Sequence, residues 1–382
     1  MRWGAQTLMI KATCVSAFAI SGLVSLAASA QGIGAGPGAT PSKERSVPAE
    51  TTIALARDPK WKAPRTSWGD PSLDGQWSVD DMRGIPRDRP ENQATRESLT
   101  PEEFFQRASQ QQGGKNRATS EETFLRNEWG TRTFGFTSLV VDPPNGRVPE
   151  MTAAGKARAE AVGRVGTFGP GPFDKFEDFS YYDRCITRGI FGSVLPSIYG
   201  NGIRIAQGPN EISITYEMIH DTRIVQLGNK PHLDSSIQQY MGDARGHWEG
   251  DTLVVESTNF TDKTSVGARG PHSDQLKVVE RYRRVDPQMI EYRATIDDPA
   301  TFTAPFTYRV MFTTQPNYEV YEYSCHEGNG AVGHALSGER AFDRQVAEAR
   351  AKGLPIPKRA AGLNIYGRPQ EGAEVFNINA GE

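Results

Sequence analysis

Cysteine is scarce in this chain. There are three in 382 residues, Cys14, Cys185 and Cys325, and no Cys-x-x-Cys pair. Zinc ribbons and thioredoxin-like redox sites therefore have no basis here. Histidine is nearly as sparse at six, and no His-Glu-x-x-His run sets two imidazoles on one helix face. Gly-x-Ser-x-Gly elbows, phosphate-binding loops and dinucleotide fingerprints are missing, so serine-nucleophile and nucleotide chemistry have no motif behind them. Charge of neither sign dominates. A net charge of −3, with basic residues scattered rather than striped among aromatics, leaves no footprint for nucleic acid or an acidic membrane.

Long apolar runs are absent except at the start. Arg2 and Lys11 precede an apolar stretch from Ala12 to Ala28, and Ala28-Ser29-Ala30 fits the small-x-small cleavage rule. Residues 1–30 read as a secretory signal peptide cut between Ala30 and Gln31, giving a periplasmic or secreted protein. The stretch is short for a membrane span, and Ser16, Ser21, Gly22 and Ser25 dilute it. Export places Cys185 and Cys325 where a disulfide can form; the alternative is two separate buried thiols.

What remains is rich in turn residues and aromatics. Residues 31–60 carry Gly, Ala, Pro, Ser and Thr and read as a flexible lead-in. Residues 61–336 read as a single β-rich domain with a helical insert around 98–165. In that insert, Thr100, Pro101 and Glu103 form a capping-box start for a helix ending near Gln111, before Gly113-Gly114. Phe136 to Asp142 reads as a strand, and Thr152 as the cap of a second helix reaching Ala161. Residues 337–382 read as a helix, Ser337 to Lys352, and a tail.

The clearest pattern is a series of alternating runs. They are Ile203–Gln207, Glu211–Ile219, Arg223–Leu227, Thr252–Asn259, Leu276–Arg284, Met289–Ile296, Phe306–Thr314 and Glu319–His326, separated by turns such as Gly208-Pro209-Asn210 and Glu249-Gly250-Asp251. Their number is close to the eight strands of a small barrel. Gly75-Gln76-Trp77 and Gly246-His247-Trp248 add a Gly-x-Trp element of the kind that opens lipocalin-like barrels. The expected fold is mainly β: a lipocalin-like antiparallel β-barrel with helical and loop additions at its N- and C-terminal sides. A β-sandwich is the competitor.

Candidate chemistry falls in five places. Glu280 interrupts the apolar row of Leu276, Val278 and Tyr282, and Glu256 shares a strand face with Val254. A carboxylate in such a row is a buried, partnered group or a general acid/base lining a cavity. His326 and Glu327 follow the last expected strand, where barrel mouths carry functional loops. His220 and Asp221 sit at a turn, with Tyr216 on the same face as His220, Arg223 as an anion clamp and His232 on the following loop. Arg184 and Arg188 flank Cys185, so a Cys185–Cys325 bridge would bring cations beside His326 and Glu327. A divalent metal on His220, His232, His326 and a glutamate is the alternative to a site without cofactors.

Several blocks have a further meaning. Arg184-Cys185-Ile186-Thr187-Arg188-Gly189, Met218-Ile219-His220-Asp221-Thr222-Arg223-Ile224, the long block from Met241 to Glu256 and Tyr323-Ser324-Cys325-His326-Glu327-Gly328-Asn329 resemble a family of exported, largely uncharacterised proteins of soil and aquatic bacteria. The resemblance covers about residues 61 to 340 and implies a self-contained exported module with no transferable catalytic residues. The expected function is a cofactor-independent lyase or isomerase acting on a hydroxylated, aromatic or ring-containing compound. His220, His326, Glu327, Glu256 and Glu280 would move protons, and Arg184, Arg188, Arg223, His232 and Tyr216 would bind substrate. The alternatives are a lipocalin-like carrier, a hydrolase using activated water and a structural envelope protein. The implied partner is a small molecule, with no nucleic acid and no membrane span.

Overall fold

Tight turns at one end and long connections at the other organise this protein. The computed structural model describes residues 60–118, 130–162, 173–267, 270–315 and 318–357, all within one unit, Val47–Glu382. The expected signal peptide, nearly all of the lead-in and the end of the C-terminal tail lie outside the described residues.

Ten strands form one sheet. They are β1 (Gly75–Ser78), β2 (Val140–Asp142), β3 (Gly202–Gln207), β4 (Glu211–Tyr216), β5 (Thr222–Leu227), β6 (Asp243–Glu249), β7 (Thr252–Thr258), β8 (Lys277–Asp286), β9 (Met289–Asp297) and β10 (Phe306–Thr313). The order is β1-β3-β4-β5-β6-β7-β8-β9-β10, with β2 added on β10. Ser78 pairs with Thr313, so β1 closes on β10 and the nine strands make a lipocalin-like, antiparallel-rich barrel. Only β5 and β6, of these pairs, run parallel, at Gln226↔Arg245 and Leu227↔Gly246. The described residues add four α-helices: α1 (Pro101–Ala118), α2 (Ala153–Val162), α3 (Gly189–Val194) and α4 (Ala331–Ala351).

Strand alternation sets what lies inside. Ile203 and Ile205 of β3, Ile212, Ile214 and Tyr216 of β4, and Arg223 and Val225 of β5 are buried, as are Val278, Glu280 and Tyr282 of β8. Tyr292 stacks on Phe312 at 5.0 Å and tilts against Tyr282 at 5.0 Å. Burying a large apolar side chain fully is worth about 1.5–3 kcal/mol, so these buried rows are the main source of stability. Trp77 of the Gly75-Gln76-Trp77 element is buried, donates its indole N–H to Leu73 O at 3.0 Å and lies under the Arg284 guanidinium.

Residues 208–210, 250–251 and 287–288 make the tight turns at one end. Residues 217–221, 259–276 and 298–305 connect strands at the other. The short helix α3 enters that long-loop end: Phe191 packs on Tyr308 at 5.7 Å. Gly189, at φ +68, approaches so closely that a Cβ would stand 2.7 Å from Thr264 Cβ.

Several sequence expectations need correction. Residues 319–326 are not a strand. Barrel closure by β1 and the addition of β2 occupy the edge of β10 away from β9, so the alternating Tyr321 and Tyr323 belong to irregular chain outside the sheet. Strand β4 stops at Tyr216, because Ile219 and His220 take positive φ and turn the chain. Gly246-His247-Trp248 lies within β6 rather than before a strand. A Cβ on Gly246 would meet Val225 Cγ1 at 2.7 Å, so close packing selects the glycine that weakened the strand signal. The expected strand from Phe136 shrinks to Val140–Asp142, since the Thr137 and Leu139 N–H groups bond loop carbonyls of Glu97 and Pro86. Helix α1 continues past Gly113-Gly114, and α4 begins at Ala331 and runs through Gly333 and Gly338; at both of these a Cβ would meet open space.

Candidate functional site

Three sequence blocks meet at the long-loop end. Cys185, at φ +57, is disulfide bonded to Cys325, with Cα atoms 5.6 Å apart. Asn329 Nδ2 donates to Asp183 O at 3.0 Å across the same junction. The segment before β5 joins them through two contacts: His220 Nδ1 lies 3.0 Å from Tyr323 O, and Thr187 Oγ1 donates to Asp221 Oδ2 at 2.5 Å. Burial raises the Asp221 pKa, and the Thr187 hydroxyl opposes the rise.

The outer layer of this end is built from arginine and tyrosine. Arg188 is half-buried, with its guanidinium 5.1 Å from the Tyr182 ring centre. The Tyr182 and Tyr199 hydroxyls are 3.3 Å apart, and the Tyr323 phenol joins both. Burial depresses the Arg188 pKa, and the groups that oppose the fall are these three tyrosines rather than a carboxylate. Burial also pushes the Tyr182 and Tyr323 hydroxyls up, so they remain neutral donors. Arg184 lies 4.5 Å from the Tyr181 ring centre, and its buried Nε has no hydrogen-bond partner among the described residues. Tyr181 in turn contacts the exposed Tyr240, at 5.1 Å. A cation held by aromatic faces and hydroxyls is suited to a planar acidic ligand.

An inner layer crosses the barrel. Arg223 Nη2 donates to Glu280 Oε2, and both side chains are buried. Tyr282 and Tyr292 donate to Glu280 Oε1 at 2.8 and 2.9 Å. Burial alone would depress Arg223, but Glu280 beside it holds its pKa well above the ordinary value. Burial raises Tyr216, Tyr282 and Tyr292, so these phenols stay protonated.

The remaining residues singled out in the sequence lie elsewhere. Glu256 is on the outer barrel face, paired with Lys277 at 2.5 Å, and Lys277 holds its carboxyl below the ordinary range. His232 sits outside between Asp243, at 2.9 Å from Nδ1, and Glu256, at 3.5 Å from Nε2. His326 and Glu327 are exposed on the turn after Cys325. The structure thus brings His220, Arg184, Arg188 and the Cys185–Cys325 bond to one end, with Arg223, Tyr216 and Glu280 inside the barrel. It does not bring Glu256 or His232 to them.

Sequence reading missed Tyr182, Tyr199 and Tyr323 as a cluster. It also missed a polar cavity of about 300 Å³ lined by Arg158, Gln238, Asp262, Ser273 and Asp274. Among the described residues, no three His, Cys, Asp or Glu side chains gather as metal ligands, and no helix is long and apolar enough to cross a membrane.

Fold and site together define a lipocalin-like β-barrel with a disulfide-anchored, arginine- and tyrosine-rich loop end. No protein-family model matches the chain, and no curated protein matches it.

Proposed function

We propose that this is an exported small-molecule-binding barrel whose ligand is an acidic, hydroxylated ring compound held at the long-loop end. The observation that carries the reading is Arg188, a half-buried cation that lies 5.1 Å from the Tyr182 ring centre, beside the Tyr182, Tyr199 and Tyr323 hydroxyls and with no carboxylate among the described neighbours that act on it. A bound phenolate or carboxylate would supply the missing negative charge, and Tyr181, Tyr182 and Tyr240 would supply ring faces. The signal-like N-terminus and the Cys185–Cys325 bond support an extracytoplasmic site of action.

The experiment is titration with 4-hydroxybenzoate, followed by recovery of the natural ligand from a metabolite extract by mass spectrometry. Arg188→Gln should weaken 4-hydroxybenzoate at least about tenfold, as loss of a charge-assisted contact does. Equal affinity in wild type and variant would sink the reading.

One observation favours a second reading, cofactor-independent proton transfer of the lyase or isomerase type. With Nδ1 donating to Tyr323 O, the His220 ring would present Nε2 as a base near the Arg188 cluster. His220→Ala would then abolish conversion of the recovered ligand while leaving its binding within a few-fold. His326→Ala separates the two histidines. If wild-type protein leaves every bound compound unchanged, the catalytic reading fails and the binding reading stands.

A further inference from the structure

The barrel core carries hydrogen-bond donors that the protein itself does not use. Arg223 Nε and Nη1 are buried without an acceptor among the described residues, although Nη2 is engaged by Glu280. The Arg223 side chain is 5% exposed. The Ser257 hydroxyl is likewise buried and unpartnered. Native interiors keep few such groups, and each one calls for an explanation.

These donors share one neighbourhood. Val255 and Ser257 are successive inward residues of β7, and Val255 is directly opposite Glu280. Ser257 therefore lies one inward step from the Arg223–Glu280 pair. One cross-strand neighbour of each is small: Ala244 lies beside Ser257 on β6, and Ala294 beside Glu280 on β9. Around them the wall is aromatic, formed by Tyr216, Tyr282, Tyr292 and Phe312.

Charge decides the ligand class. Glu280 already neutralises Arg223, and the surrounding phenols are neutral. A second anion would bury an uncompensated charge, whereas an uncharged oxygen would satisfy the idle N–H groups without that cost. We propose that the barrel core is a binding site, beside the Arg223–Glu280 pair, for a compact uncharged molecule that presents a carbonyl or hydroxyl oxygen to Arg223 and Ser257. This site is separate from the Arg188 cluster and does not depend on it.

Cyclohexanone tests the site against methylenecyclohexane, which has the same shape without the oxygen, and against acetate. Binding is read by thermal shift and by near-ultraviolet circular dichroism of the buried tyrosines. Cyclohexanone should raise the melting temperature and change the tyrosine signal, and the other two should do neither. Ser257→Ala should weaken cyclohexanone roughly fivefold and leave the unliganded protein at least as stable, because it deletes an unsatisfied hydroxyl. Arg188→Gln should bind cyclohexanone as wild type does. The proposal is overturned by absence of cyclohexanone binding, by equal binding of the hydrocarbon, by an unchanged affinity in Ser257→Ala, or by a loss in Arg188→Gln.

Discussion

Arg223 on β5 and Glu280 on β8 form an ion pair across the inside of the barrel, three places apart in the strand order. Removing one partner leaves a buried charge alone. Arg223→Met and Glu280→Gln should each cost about 3–5 kcal/mol, and the double variant should lose clearly less than the sum. Urea unfolding of the three variants against wild type measures the coupling; additive losses would mean that the pair does not act as a unit.

The Cys185–Cys325 bond spans 140 residues of sequence. Cross-linking a loop of that length is worth about 5 kcal/mol on the loop-entropy model. Replacing both cysteines by serine should lower the unfolding midpoint and leave the far-ultraviolet spectrum unchanged, since the barrel ladders do not include either residue. Hydrogen exchange should quicken first in residues 180–188 and 321–329. Uniform acceleration across the strands would contradict this.

Helix α1 begins with a reciprocal cap. Glu103 Oε2 accepts from Thr100 N at 2.7 Å, and Thr100 Oγ1 accepts from Glu103 N at 3.3 Å. Arg96 engages the same carboxylate at 2.6 and 2.8 Å and, with the Thr100 N–H, lowers its pKa to about 2 from an ordinary 4.5. The folded pKa is the lower one, so the contribution is present above about pH 4.5 and fades as pH falls towards 2. Solvent screening limits it to roughly 1 kcal/mol or less. Glu103→Gln should therefore lower stability at pH 6 and match wild type near pH 2 in parallel thermal melts.

Gly246→Ala should destabilise by about 1–3 kcal/mol, because its methyl would enter the space of Val225 Cγ1 and Leu227 Cδ2. Val225→Ala in the same chain should recover part of the loss. A neutral Gly246→Ala in urea unfolding would show that the β5–β6 contact yields more easily than close packing implies.

Much of the barrel was legible because strand parity is a local signal. The rows Ile212-Ile214-Tyr216, Arg223-Val225-Leu227 and Val278-Glu280-Tyr282 alternate with polar neighbours, and each faces inward. Glu280 stood out for the same reason, as a charge in an apolar row. Strand β6 was hidden because its inward positions include Gly246 and its outward ones Arg245 and His247, which blur the alternation. Residues 319–326 misled in the opposite direction, since Tyr321 and Tyr323 alternate with polar neighbours in the sequence although no strand pairs with them. Of the Arg188–Tyr182–Tyr199–Tyr323 cluster, Arg188 and its approach to the Cys325 segment were legible through the two cysteines, but the meeting of the three tyrosines was not. Its members come from three separate segments, and only tertiary contact assembles them. The polar cavity is similar, drawing Arg158 from α2 and Asp262, Ser273 and Asp274 from one long connection.

The parallel β5–β6 pair has a consequence of counting. A closed ring whose neighbours all run opposite ways must hold an even number of strands, and this ring holds nine. One like-directed pair resolves the mismatch, and a like-directed pair cannot be joined by a hairpin. Residues 228–242 must therefore travel the full height of the wall from the tight-turn end. They arrive carrying Gln238 to the polar cavity and Tyr240 to the Tyr181 ring. The odd number of staves thus delivers Gln238 and Tyr240 to the rim, where an even one would have left them at the base.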